Sequence, residues 1–413
     1  MITRFLFLLS CLPALAWGQA ALNLSLAESE ALWRAHSREL ALSRTAVEGA
    51  EADVQTAGQR PNPFVSLGLL SISPSSGIGA GRWKDKKMDN VLRVDQVIER
   101  GDKRALRVRG AESRLEAARQ DLDDMARQQL AGLRRAYYGL LLAQDKARLA
   151  QESAQLQARG LEVAERRLKA GDIAPVEVSR LAVDKARADN DARQAQSELE
   201  QARYVLAYLI GREREAASLQ ASDPWPAVQA GAEEANLAAR PDLEAARRRV
   251  AAAEADRDLA RALRHRDVSV GMQVERNNQN APTNSVGFGV SVPLFLWHEH
   301  EGEIRRADAD YNAARLQLAQ LEAQVGGQLG QLGSALRAAR DRLQRLEQGL
   351  LADAERVAAA AELAYAKGAM NLMDLLDARR TLRQVRIEAA TARAEYAMAR
   401  ADWQLAAEYG KEQ

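Results

Sequence analysis

His298 and His300 are the side chains of this 413-residue chain best suited by type and spacing to bind something. A His-x-His pair flanked by Glu299 and Glu301 can hold zinc or copper, but two histidines do not complete a structural site. They are weak candidates, and neither a metal nor a cofactor is assigned. Asp374 and Asp377 lie three apart, so both project from one face of a helix. With Asn371 as N-cap, Asp374 becomes the third helical residue, where a carboxylate favours the helix dipole. Glu177 holds the corresponding place earlier in the chain. His36 and His265 are isolated and read as surface or packing residues. The sequence holds no nucleotide loop, catalytic triad or cluster of metal ligands, so no enzyme is expected.

Such residues act only where a scaffold places them. Lys+Arg total 58 against Asp+Glu 57, so no excess of basic charge argues for a nucleic-acid partner. Aromatics are 5%, while Ala, Leu, Arg, Glu and Gln dominate, the composition of long helices packed through small side chains. The first 18 residues read as a secretory signal: Arg4 is the positive region, residues 5–15 are apolar, and small residues follow. Cys11, the only cysteine, lies inside it; ordinary cleavage is favoured over lipidation and leaves a mature chain with no thiol.

The same design occurs twice. Val47-Glu48-Gly49-Ala50-Glu51-Ala52-Asp53 returns as Val250-Ala251-Ala252-Ala253-Glu254-Ala255-Asp256, an offset of about 203 residues at which Val65-Ser66-Leu67-Gly68 also meets Val268-Ser269-Val270-Gly271. This divides the chain into a signal (1–18), a first repeat (19–211), a linker (212–232) and a second repeat (233–413). Each repeat has a helix, two strands and a long helical hairpin. Proline, costly inside helices, is absent between Pro74 and Pro175 and after Pro293, which frees two stretches for very long helices. Helices are expected at 24–57, 103–168, 175–210, 242–264 and 302–367, with a last one ending near 409. A helix of about 65 residues would be roughly 95 Å long. Val108, Ala111, Leu115, Ala118, Leu122 and Met125 step by threes and fours, the spacing of coiled coils.

Strands are expected at 64–73, 91–99, 268–275 and 285–292. Val268, Val270, Met272 and Val274 alternate with Ser269, Gly271, Gln273 and Glu275; Val286, Phe288, Val290 and Val292 alternate with glycine and serine. Leu92, Val94 and Ile98 alternate with Arg93, Asp95 and Glu99, and Gln96 and Val97 break the pattern. One apolar and one polar face suit strands between lipid and a watery lumen, and equally a soluble sheet with one buried face. Four strands cannot close a barrel alone, and open edges are not tolerated in lipid. A membrane barrel therefore needs strands from several subunits: twelve from three copies, eight from two.

In this order the parts resemble the TolC family of outer-membrane efflux proteins. The residues that carry the resemblance are the duplication, Arg60-Pro61-Asn62-Pro63, Arg240-Pro241-Asp242-Leu243, the turns Arg167-Leu168-Lys169-Ala170-Gly171 and Tyr365-Ala366-Lys367-Gly368, and Asp374-Leu375-Leu376-Asp377-Ala378. Gln96-Val97-Ile98-Glu99-Arg100-Gly101-Asp102-Lys103-Arg104 and Val292-Pro293-Leu294-Phe295 resemble the heavy-metal, CzcC-like branch. Leu296-Trp297-His298-Glu299-His300-Glu301 departs from that branch's usual turn.

The resemblance implies a mainly α fold with a small β part. Antiparallel helical hairpins would form an α-barrel, continued by four strands per chain in a shared, trimeric, twelve-stranded transmembrane β-barrel. It implies a homotrimer in outer-membrane lipid, extending into the periplasm, as the exit duct of a pump with a periplasmic adaptor and an inner-membrane RND-type transporter. Heavy-metal cations are the implied cargo. Asp374, Asp377 and Glu177 match positions that narrow the closed periplasmic end. Lys169, Gly171, Asp172, Ile173, Tyr365, Lys367, Gly368 and Met370 match the tips that meet the adaptor. Two other readings remain at this point: a duct for small organic molecules or secreted proteins, and a periplasmic coiled-coil scaffold.

Overall fold

The computed structural model describes residues 22–228, 240–278 and 281–407. The expected signal with Cys11 lies outside the described residues, as does the end of the expected linker, 229–232. In chain order the elements are β1 (Leu22–Leu24), α1 (Leu26–His36), α2 (Arg38–Ala57), β2 (Phe64–Leu70), β3 (Asp89–Ile98), α3 (Lys103–Lys169), α4 (Pro175–Leu209), β4 (Leu219–Ala221), α5 (Pro241–Ala262), β5 (Val268–Asn277), β6 (Thr283–Ser291), α6 (Glu301–Arg345), α7 (Leu351–Ala366) and α8 (Leu372–Ala407). Its described residues divide into two units, one of residues 22–37, 129–228 and 332–405, the other of 38–128, 240–278, 281–331 and 406–407, and divisions fall inside α3, α6 and the end of α8.

Three expectations need correction. The helix expected at 24–57 is two helices, because Ser37 takes an extended conformation (φ −62°, ψ 121°) between α1 and α2. The segment read as a linker holds a 3-10 turn (Glu213–Ser218) and β4, which pairs in parallel with β1 through Leu22–Leu219 and Leu24–Ala221. The helix expected at 302–367 is interrupted by a π turn, Leu346–Leu350, between α6 and α7.

The first unit is built on Tyr137, whose ring is fully buried with Leu133 and Leu140 one helical turn to either side. Its hydroxyl lies 3.0 Å from both the Leu24 carbonyl and the Asp223 carboxylate. The same carboxylate accepts from the Leu26 N–H at 2.7 Å, at the start of α1, which also carries a Ser25/Glu28 capping box. Burial pushes the Tyr137 hydroxyl far above the ordinary tyrosine range, so it stays a donor. Gln144 closes the arrangement by exchanging two hydrogen bonds with the Ala221 backbone.

In this unit α8 is held on two sides by arginines. Arg379, Arg386 and Arg393, spaced by seven, meet Glu362, Glu355 and Glu347 at 3.1, 3.0 and 2.7 Å. Arg380 and Arg383 reach across to Asp184 and Asp191 of α4 at 2.6 and 2.8 Å. A groove of about 780 Å³ runs between these rows, with Gln157 and Ala188 in its wall.

The second unit carries the sheet, antiparallel in the order β2-β3-β5-β6. Its register aligns Leu67, Leu92, Val274 and Val286 in one row and Val65, Val94, Met272 and Phe288 in the next. These side chains share one face and all are exposed; Phe288 is 81% and Val290 70% accessible. On the other face Arg93 donates twice to Asp95 at 2.7 Å and once to Gln273 at 3.3 Å. A Cβ on Gly271 would collide with the Asp95 carboxylate, so the glycine makes room for this ion pair. Gln96, which breaks the alternation, donates its amide to the Pro61 and Val97 carbonyls at 2.9 Å, satisfying a polar group on the apolar face.

The Arg240-Pro241-Asp242-Leu243 segment shows why these residues stand together. Pro241 opens α5, and the Leu243 side chain is buried. Arg240, only 2% exposed, is neutralised by Asp242 at 2.7 Å and donates to Gln328 and the Ala406 carbonyl. Burial raises the Asp242 carboxyl, but hydrogen bonds and charge from Arg240, with Arg127 and the Leu243 N–H adding, outweigh it and leave the group below the ordinary range.

Candidate functional site

The tips of the two hairpins are made alike. After α3, Gly171 adopts φ +81°, its N–H bonds the Leu168 carbonyl, and Asp172 N–H bonds Arg167 O at 2.9 Å. After α7, Gly368 adopts φ +72°, bonds Tyr365 O, and Ala369 N–H bonds Ala364 O at 2.9 Å. This is the glycine helix ending in which a left-handed residue lets the chain satisfy the last carbonyls. The tips also touch: Arg167 donates to the Tyr365 hydroxyl at 3.2 Å, and Arg180 lies 3.6 Å from the Met373 sulfur. Ala164, Leu181 and Leu376 form a small buried cluster behind them.

Of the expected contact residues, Lys169, Gly171, Asp172, Lys367 and Gly368 are exposed. Ile173 packs against the buried cluster; Tyr365 and Met370 are half-buried. The exposed edge is thus basic and backbone-rich, and the apolar tip residues mainly hold the hairpins together.

Behind the second tip, Asn371 caps α8: the Asp374 N–H donates to Asn371 Oδ1 at 2.9 Å, and Asn371 Nδ2 donates to Asp374 Oδ2 at 2.8 Å. Asp374 is the third residue of α8 and is exposed. Asp377, one turn on and exposed, makes no hydrogen bond or ion pair among the described residues. Glu177 is the third residue of α4 and half-buried, with Pro175 at the first position and no side-chain cap. The two hairpins thus place a carboxylate at the same helical position, and the second adds Asp377 where the first has Arg180.

The structure brings a third ligand to the histidines. The Glu303 carboxylate lies 2.8 Å from His298 Nε2 and 3.6 Å from His300 Nδ1. The carboxyl is held below the ordinary range first by its own backbone N–H and then by the two rings. His300–Glu303 is a three-residue step at a helix start, a spacing readable in the sequence. His265 packs against Gly101, and His36 against Gly211.

No helix among the described residues is long and apolar enough to cross a membrane. Among the described residues nothing covers the sheet's rows of valine, leucine and phenylalanine, an exposed apolar face of the kind that marks a membrane or protein interface. Long helical hairpins joined in one chain to a four-stranded sheet with one exposed apolar face define the class, a subunit of an outer-membrane channel. The chain belongs to the outer membrane efflux protein family, whose match covers residues 31–212 and 234–408.

The chain is 30% identical over 310 residues to the cobalt-zinc-cadmium resistance protein CzcC of Cupriavidus metallidurans, covering 70% of each. Its fold is that of the outer membrane protein VceC from Vibrio cholerae (TM-score 0.74, 19% identity, covering 92% of this chain and 95% of that one). It is also that of the Campylobacter jejuni CmeC outer membrane channel (TM-score 0.76, 16% identity, 92% and 85%). The protein is an efflux channel of the outer membrane that extends into the periplasm.

Proposed function

We propose that the chain is the passive exit duct of a three-part efflux pump, assembled as a homotrimer, and that its cargo is heavy-metal cations. Three copies would close twelve strands into a barrel without free edges. An inner-membrane RND-type transporter would supply the energy, and a periplasmic adaptor would meet the hairpin tips through Lys169 and Lys367. The observation that carries the cation reading is the exposed pair Asp374 and Asp377 on one face of α8; in a trimer it would set six carboxylates around the axis. A ring of carboxylates favours cations in a pore. The likeness to a cobalt-zinc-cadmium resistance protein supports the same cargo.

Asp374 holds the Asn371 cap through one carboxylate oxygen, which leaves the other free to narrow the tunnel. Single-channel recording of the Asp374→Ala, Asp377→Ala double variant tests the gate: closed-state conductance should rise, and unchanged conductance refutes it. Cargo is tested on a strain lacking the gene. Sensitivity to metals that the intact gene reverses supports the proposal; sensitivity to organic toxicants alone favours the small-molecule duct.

A further inference from the structure

We infer that His298, His300 and Glu303 form a binding site for a first-row divalent cation of zinc type, at the turn leading from β6 into α6. One nitrogen or oxygen of each lies within 4.8 Å of the others. Two ligands bound at about 2.0–2.1 Å in a tetrahedron sit roughly 3.3 Å apart. The separations here, 2.8 Å from His298 Nε2 and 3.6 Å from His300 Nδ1 to Glu303, bracket that value. The two imidazole nitrogens are within 4.8 Å of each other, so seating an ion requires side-chain rotation that closes this pair toward the same spacing.

His300 gives the strongest argument. Its Nδ1 is buried without a hydrogen-bond partner, a state that normally costs free energy. Its backbone sits at φ +62°, unusual for a residue with a Cβ, while its carbonyl accepts the Ile304 N–H at 3.1 Å and so starts α6. Phe295 stands edge-on to its ring at 5.2 Å, and the Arg266 guanidinium lies 5.3 Å from the Phe295 ring centre. The ring is held in place with its nitrogen turned toward Glu303. A metal ion is the partner that satisfies this nitrogen, the carboxylate and the adjacent imidazole together.

Two imidazoles and one carboxylate select zinc, copper, nickel or cobalt over magnesium and calcium, which prefer all-oxygen sites. Three protein ligands leave a position for water. A bound ion would tie the turn to the first turn of α6. Neither the geometry nor its role depends on what the channel carries.

The test is calorimetric titration of the purified full-length protein in detergent with Zn²⁺ alone, followed by Co²⁺ absorption to read the coordination geometry. One ion per chain is expected, with affinity reduced at least tenfold in His298→Ala and in Glu303→Gln. His298 is 67% exposed at its side chain, so its removal does not threaten folding. The Asp374→Ala, Asp377→Ala variant should bind Zn²⁺ like the parent, which separates this site from any cargo site in the tunnel. Absence of zinc binding by the parent protein, or equal affinity and stoichiometry in His298→Ala, overturns the inference.

Discussion

Phe288 and Ser285 lie on one strand, three residues apart, and their substitution by arginine should have opposite consequences. Phe288 belongs to the row Val65, Val94, Met272, Phe288, which crosses β5 and β3 near their middles. β5 is ten residues long. At about 3.4 Å per residue and a tilt of about 45°, ten residues rise roughly 24 Å, close to the apolar band of an outer-membrane barrel. The row therefore sits near the midplane, where an arginine costs roughly 2–4 kcal/mol. Losing the phenylalanine adds about 1.5–3 kcal/mol, so Phe288→Arg should cost roughly 4–7 kcal/mol per chain. Ser285 points to the other face and stands opposite Glu275. An arginine there gains an opposite charge across the strands, and Ser285→Arg should stay within about 0.5 kcal/mol of the parent. Urea titration of refolding into short-chain lipid vesicles, with heat-resistant oligomer on gels as a second readout, measures both. Equal effects, or a neutral Phe288→Arg, would mean that protein rather than lipid covers this face.

Asp242→Asn should destabilise the protein by about 3–5 kcal/mol, because it leaves the buried Arg240 charge without its partner. Since the Asp242 carboxyl is depressed in the folded state, its contribution is complete above the ordinary carboxylate range and is lost as pH falls through the lower folded value. The variant should therefore show a shallower acid limb in thermal unfolding measured from neutral pH to below pH ~4, and an unchanged limb would contradict the assignment. Tyr137→Phe should cost about 1–2 kcal/mol, since the Asp223 N–H loses its acceptor, while the Leu24 carbonyl keeps the Ser222 N–H and the Asp223 carboxylate keeps the Leu26 N–H. Urea unfolding of the two proteins compares them, and no difference would show that water replaces the hydroxyl at no cost.

The duplication, the long helices and the sheet were legible because they rest on periodicities that local chemistry enforces. The proline-free stretch before Pro175 gave α3, and the Gly171 turn with Pro175 gave α4, each to within a residue or two, and strict alternation gave the sides of β5 and β6. Asn371 as the cap of α8 was readable for the same reason, since a cap is a contact between residues three apart. What the sequence concealed depends on residues far apart. β4 is three residues long and exists only because β1 lies beside it. Gln96 reads as an interruption until Pro61 is seen to accept its amide. The third member of the histidine cluster was hidden differently: Glu303 is one acid among several near His300, and the fold, with a left-handed backbone at His300, brings its carboxylate to the two rings.

The π turn at Leu346–Leu350 shows how one extra residue is absorbed without disturbing either side. Before it, the buried positions Leu336 and Leu343 are seven apart; after it, Ala354 and Ala361 are also seven apart. Across it the repeat is out by one, with Leu346 to Ala354 eight and Leu343 to Ala358 fifteen. The acids that meet α8 keep the same count, Glu362 to Glu355 seven and Glu355 to Glu347 eight, while their arginines stay seven apart. In a regular α-helix an extra residue would turn everything beyond it by about 100° and carry the buried stripe off its seam. A single wide turn takes up the surplus locally. Gly349 lies in that turn, and a Cβ built on it would meet open space. Deleting Gly349 should therefore restore a continuous heptad, convert the turn to α-helix and cost no more than about 1 kcal/mol. Deleting exposed Ala359 from α7 has no surplus to remove; it would rotate one side of the helix by about 100° and cost several times as much. Thermal midpoints of the two deletion variants decide the matter, and comparable losses would show that the wide turn is not what keeps the two stripes in phase.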